Sequence, residues 1–167
     1  MPRSYPPPTT IGKIPFVVPG IETQCETSYS IWGDLTNTTS PVMISLHGGP
    51  EVPSQYLKPL SLLHRETGIP VLCYDQIGSG NSTHLPHKKD DTEFWTFDLF
   101  IAELRNFISH LKIGTCDLFG HSCGGMLAAK YTLTLPRRLR KLLLASSSLL
   151  APPHRSNSGL KQPHDRG

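Results

Sequence analysis

Glycine-rich segments carry the residues of this chain that could do chemistry. The clearest is Gly120-His121-Ser122-Cys123-Gly124, a serine bracketed by glycines between an apolar run and an apolar helical pattern. A serine at the centre of G-x-S-x-G occupies a strained strand-to-helix turn, and its neighbours must be small because strand and helix press on both sides. The helix start then aims free N–H groups and the positive dipole end at the point where an oxyanion would form. This is the chemistry of attack on a carbonyl, with Ser122 as nucleophile and the Cys123 backbone N–H as an oxyanion donor. The Cys123 thiol, one position off centre, is the weaker nucleophile.

His47-Gly48-Gly49-Pro50 follows another apolar run. Glycine lets a backbone N–H approach a substrate oxygen closely, so this loop is read as the source of the second oxyanion donor, Gly49, with Gly48 as the adjacent alternative. Asp75-Gln76-Ile77-Gly78-Ser79-Gly80 closes a third run. Asp75 is read there as a turn-stabilising Asx residue. His121 is read as structural.

These loops need strands to end on and helices to follow. Val42–Leu46, Val71–Tyr74, Cys116–Phe119 and Leu142–Ala145 are short apolar runs of parallel-strand character. Between them fall helical patterns. Ser54 is a candidate N-cap for a helix bearing Leu57, Leu60 and Leu63 and closed by Gly68. Thr92–Leu111 sets Phe94, Phe97, Ile101, Leu104, Ile108 and Leu111 on one stripe, and Gly124–Leu135 is stopped by Pro136. Ile14–Val18 and Cys25–Trp32, split by Pro19-Gly20, read as antiparallel edge strands. The expectation is an α/β fold with crossover helices over a parallel sheet and ligands bound beyond the strands' carboxyl ends, where all the glycine loops lie. The segments divide as a loose Pro-rich stretch 1–13, a core 14–148 and a disordered tail 149–167.

Composition agrees with a globular domain: 167 residues, 37% hydrophobic and 17% charged. A formal charge of +3 is too small to argue for nucleic acid, and Arg137, Arg138, Arg140 and Lys141 are read as solvated cations past a helix end. No apolar run approaches ~18 residues, so no membrane span is expected. The proline-rich start lacks the apolar stretch of a secretory signal, which makes the glycosylation sequons at Asn37 and Asn81 uninformative and points to the cytoplasm. Cys25, Cys73, Cys116 and Cys123 show no metal-ligand spacing; Cys73 and Cys116 are expected as buried thiols. Neither metal nor organic cofactor is implied, and the sequence leaves the oligomeric state open.

Taken together, Leu46-His47-Gly48-Gly49-Pro50, Tyr74-Asp75-Gln76-Ile77-Gly78-Ser79-Gly80-Asn81-Ser82 and Gly120-His121-Ser122-Cys123-Gly124-Gly125-Met126-Leu127-Ala128 resemble the proline iminopeptidases. These are α/β-hydrolase serine aminopeptidases, and related amino-acid amidases carry the same motifs. The resemblance spans roughly Ile14 to Ser147. It implies an α/β-hydrolase fold, a peptide or amino-acid amide substrate, Ser122 as nucleophile, and the N–H groups of Gly49 and Cys123 as oxyanion donors. His47 then reads as a loop-shaping residue, because in this fold the base follows the nucleophile. The chain departs from the family at Glu51, where glycine is usual, and at Cys123, where a bulky aromatic is common.

The fold's chain order is Ser, then Asp or Glu, then His. After Ser122 the remaining candidates are Asp165, His154 and His164, all in an aperiodic stretch. The expectation is therefore the N-terminal half of such a fold, without the cap and last strands, and with weak or absent catalysis. An esterase or lipase of the same fold and a non-catalytic binding module are the alternatives.

Overall fold

The computed structural model describes residues 4–36, 40–49 and 52–147. Its sheet contains β1 (Thr10–Phe16), β2 (Cys25–Trp32), β3 (Val42–Leu46), β4 (Val71–Tyr74), β5 (Cys116–His121) and β6 (Leu139–Ala145), in the spatial order β1-β2-β4-β3-β5-β6. β1 pairs antiparallel with β2 and β2 with β4, whereas β4, β3, β5 and β6 run parallel. This is the α/β architecture expected from the apolar runs.

From β3 the chain steps outward to β4, then returns past β3 to β5. Right-handed crossovers taken in opposite directions put their helices on opposite faces. α1 (Ser61–Thr67) and the preceding 3-10 turn (Ser54–Leu60) cover one face, where Leu57, Leu60 and Leu63 pack with Met43, Val71 and Cys73. α2 (Phe97–His110) and α3 (Cys123–Thr132) cover the other, where Leu104, Phe107 and Leu127 pack with Ile44, Leu46 and Leu72. With both faces covered, every residue of β3 and β4 is buried. The reversal of direction opens a crevice beyond the carboxyl ends of β3 and β5. His47–Gly49 and Ser122 lie there.

Several boundaries differ from the sequence expectation. β1 starts at Thr10 rather than Ile14, its first residues held by pairing with Ser28–Ile31 although Gly12 and Lys13 break any apolar pattern. Residues 10–13, expected to be loose, are thus part of the sheet. Ser54 caps nothing with its side chain; the helix start is taken by Pro53, and Pro59 divides the segment into the 3-10 turn and α1. Gly68 closes α1 at φ 73°, as expected. α2 begins five residues later than Thr92, with the Thr96 hydroxyl accepting from Leu99 N–H at 3.3 Å. Phe94 and Trp95 belong to the preceding turn, where the indole N–H donates to Lys88 O at 2.7 Å. α3 ends at Thr132, before Leu135 reaches φ 50°.

The basic run is not simply solvated. Arg140, on β6, makes a bidentate pair with the buried Asp117 of β5 at 3.0 and 2.7 Å, and Arg138 donates to Ile113 O at 3.0 Å. Cys73 and Cys116 are buried, and burial pushes both thiols up to about 11, so they stay protonated. All the cysteines are unpaired, and Cys123 is exposed. No helix among the described residues is long and apolar enough to cross a membrane. Among them, no cluster of His, Cys, Asp and Glu is arranged to hold a metal ion. The sequon at Asn37, Glu51 and the candidates His154, His164 and Asp165 lie outside the described residues.

Candidate active site

Ser122 stands between the last residue of β5 and the first of α3, at φ 53° and ψ −121°. A side-chain-bearing residue there is strained by about 1–3 kcal/mol and persists only where the surroundings over-determine it. Here they do. The Ser122 N–H donates to Ala145 O at the end of β6 at 3.0 Å, and its carbonyl accepts from Gly125 N–H at 2.9 Å. A β-carbon on Gly124 would collide with the Leu46 carbonyl oxygen, which is why the first turn of α3 needs a glycine at its second position to lie against the end of β3. The turn therefore lifts Ser122 out of the sheet and leaves the first amides of α3, Cys123 among them, without helical acceptors.

Gly48 approaches Ser122 from the end of β3, and its own N–H donates to the Tyr56 hydroxyl at 2.7 Å. Among the described residues Gly49 N–H has no acceptor. Gly49 and Cys123 both border a cavity of about 680 Å³. Its wall is apolar, built by Ile77, Leu85, Trp95, Phe97, Phe100 and Leu127. Trp95 and Phe100 stack with ring centroids 6.2 Å apart, which fixes the aromatic side. His84 and Lys89 stand on its rim, and no carboxylate is among the described residues that border it.

His47 lies behind this loop, 3% exposed, with both ring nitrogens engaged. Gln76 N–H donates to Nε2 at 2.8 Å, so Nδ1 carries the proton and donates to Gly48 O at 2.6 Å. Burial holds the imidazole below its ordinary value of 6.5 and keeps it neutral. With its lone pair committed to Gln76, His47 shapes the loop and is not free to take a proton from Ser122. Gln76 returns the contact through its side-chain amide, which donates to His47 O at 3.0 Å. Asp75 does more than stabilise a local turn. Its carboxylate accepts from Asn81 N–H at 2.9 Å and from Ser54 N–H at 2.7 Å, pinning two loops together.

Next to Gln76, the Ile77 N–H donates to Oε1 of Glu103 at 2.8 Å, and the same oxygen accepts from the Thr27 hydroxyl at 2.8 Å. Glu103 is wholly buried in α2, its Oε2 has no partner, and burial raises its carboxyl to about 8. Successive amides of one loop are thus held by two buried titratable groups on different elements.

The sequence from 41 to 163 matches the family described as alpha/beta hydrolase fold. The chain belongs to that family. This α/β-hydrolase is 37% identical over 123 residues to the proline iminopeptidase of Lactiplantibacillus plantarum, a match covering 73% of this chain and 41% of that protein. It is 34% identical over 137 residues to the proline iminopeptidase of Lactobacillus helveticus, covering 81% and 43%. Among solved structures it resembles the crystal structure of VinJ, with TM-score 0.75, 43% identity, and 84% and 45% of the two chains covered. It also resembles the proline iminopeptidase of Mycobacterium smegmatis, with TM-score 0.70, 33% identity, and 81% and 44% covered. The chain spans less than half the length of each of these four proteins.

Within this α/β-hydrolase the residues singled out from the sequence meet at one place: Gly48 against Ser122, and Gly49 and Cys123 on one cavity wall. Tyr56, Gln76 and Glu103 were not singled out. Glu103 left a trace, since on α2 it falls between Phe100 and Phe107 on the buried side. Tyr56 left none, because its partners are 8 and 65 residues away.

Proposed function

We propose that this chain carries the nucleophile and oxyanion half of a serine hydrolase that cleaves N-terminal peptide or amide bonds through an acyl-enzyme. The observation that carries the reading is Ser122 held at φ 53° on the first turn of α3, with Gly48 closing on it from β3. In that chemistry the Ser122 Oγ adds to the carbonyl carbon and its proton passes to an imidazole. The amides of Gly49 and Cys123 take up the charge on the tetrahedral oxygen, and the proton returns to the departing amine. Similarity to proline iminopeptidases supports the N-terminal residue as the acyl part.

The stretch from Cys123 to Ser147 contains no His, Asp or Glu. His47 is the nearest imidazole along the oxyanion loop and is already committed. Among the described residues no imidazole accepts from the Ser122 hydroxyl, and in a serine hydrolase the removal of a triad member costs about three or more powers of ten in rate. A fluorophosphonate probe applied to this chain is expected to label Ser122 slowly, with labelling abolished in Ser122→Ala. Labelling unchanged in Ser122→Ala would defeat the assignment of the nucleophile. Rapid labelling, at the rate of a complete serine hydrolase, would defeat the expectation of weak catalysis.

An ester hydrolase is the second reading, favoured by the apolar cavity that offers no carboxylate to a substrate ammonium among its described lining. Prolyl naphthylamide against an acyl naphthyl ester separates the two. Preferential release from the ester would favour the second.

A further inference from the structure

The oxyanion loop is also held from its outer side. Tyr56 reaches over from the 54–60 turn, and its hydroxyl accepts the Gly48 N–H at 2.7 Å and stands 2.8 Å from His121 Nδ1. The two rings pack edge to face, with centroids 5.3 Å apart and planes at 66°. A phenol has one proton and can accept on its lone pairs. With Gly48 donating to the oxygen, the phenol proton is directed to Nδ1, which leaves the His121 ring proton on Nε2. The chain of contacts thus runs from the oxyanion loop through Tyr56 to the residue immediately before Ser122.

Gly48 is where this matters most. A β-carbon there would lie 3.0 Å from Ser122 Cβ and 3.3 Å from His121 Nδ1, so its backbone is the point at which the loop touches the nucleophile turn. A Gly48 amide left free would compete with that of Gly49 for the reacting oxygen. Tyr56 occupies it.

We propose that Tyr56 and His121 are positioning residues that clamp the 47–49 loop to the nucleophile turn, withdrawing the Gly48 N–H and presenting the Gly49 N–H to the reacting carbonyl. The catalytic part of this inference rests on the reading of Ser122 as nucleophile; the clamp itself does not.

Tyr56→Phe removes only the hydroxyl, from a ring already 40% exposed, so the fold has little to lose. Amide hydrogen exchange is followed at Gly48, with Ile44 of β3 reporting global opening, alongside the rate of fluorophosphonate labelling. Exchange at Gly48 is expected to quicken about tenfold relative to Ile44, and labelling to slow about tenfold, well short of the loss of an oxyanion donor itself. His121→Leu should follow Tyr56→Phe in labelling rate. His121→Asn, whose side-chain oxygen can accept in place of Nδ1, should stay near wild type. Unchanged Gly48 exchange in Tyr56→Phe would overturn the clamp. Faster exchange with unchanged labelling would overturn its positioning role. A wild-type chain that never labels would defeat the nucleophile reading, and the exchange comparison would still decide the clamp.

Discussion

Gly48 and Ser122 face each other across neighbouring parallel strands so closely that a β-carbon on the glycine would stand 3.0 Å from the serine β-carbon. The contact follows from register: Leu46 pairs with Gly120, so the segments leaving β3 and β5 emerge side by side. Real β-carbons rarely come so near another heavy atom, and here the neighbours are the Ser122 β-carbon, the hydrogen-bonded His121 ring and the His121 carbonyl. Gly48→Ala must therefore push the 47–49 loop away from Ser122. We expect a loss of about 1–3 kcal/mol, the usual range for overpacking, together with slower fluorophosphonate labelling. Urea unfolding midpoints check the first and labelling rates the second. Wild-type values for both would mean that the loops do not touch.

The backbone of Ser122 itself makes a second expectation. At φ 53° and ψ −121° a β-carbon is strained whatever the side chain beyond it, so Ser122→Ala should keep the strain and Ser122→Gly should release it. Glycine adds unfolded-state entropy that offsets part of the gain. The net expectation is that Ser122→Gly is more stable than Ser122→Ala by about 1 kcal/mol. Denaturant titration of the two variants decides it, and equal midpoints would show that the turn is relaxed.

The same two residues show why this site could be read from the sequence at all. A strand buried on both faces has no solvent-facing positions to blur its ends, so Val42–Leu46 and Val71–Tyr74 coincide with β3 and β4. G-x-S-x-G demands glycine for steric reasons local to five residues, so the turn was equally legible. What stayed hidden depends on distance along the chain. Ser54 was read as a side-chain cap, whereas its backbone N–H serves Asp75, 21 residues away. Glu103 meets Thr27 across 76 residues, and no local pattern announces which buried hydroxyl will find which carboxyl. Arg140 looked like one of a solvated group until β6 was set beside β5 and placed it on Asp117. The beginning of β1 fails for a related reason, since Thr10–Lys13 form a strand only because β2 is there to pair with.

His47 gives the fold an acid limit. Burial lowers its pKa in the folded state from 6.5, so below pH 6.5 the unfolded chain binds a proton that the folded chain does not. The stability it contributes is present above pH 6.5 and is lost as pH falls from there. Protonation of Nε2 would also set a proton against the Gln76 N–H that now donates to it. Stability measured from pH 7 down to pH 5 should fall, and His47→Gln should flatten that segment while lowering stability at pH 7. A wild-type profile matching that of His47→Gln over this range would show that the ring is not buried neutral.

Glu103 works in the opposite sense, on the neighbouring amide of the same loop. Its carboxyl is raised from 4.5 to about 8, so between those values the folded chain holds a proton that the unfolded chain has released. Its contribution is whole below pH 4.5 and is lost as pH climbs toward 8. Glu103→Gln keeps an oxygen for Ile77 N–H and Thr27 Oγ1 without a titrating proton. That variant should match wild type near pH 5 and exceed it at pH 8. Glu103→Ala strands a buried amide and a buried hydroxyl and should cost about 2–4 kcal/mol near pH 5, a deficit that shrinks toward pH 8 because wild type alone must then give up the Glu103 proton. Because Ile77 lines the cavity beside Gln76, the alanine variant should also loosen the loop and speed exchange at both amides, while Glu103→Gln leaves them protected. Stability profiles of the three proteins from pH 5 to pH 8, with exchange at Gln76 and Ile77, test this. A Glu103→Gln chain that gains nothing on wild type as pH rises would mean that Glu103 is already ionised in the fold.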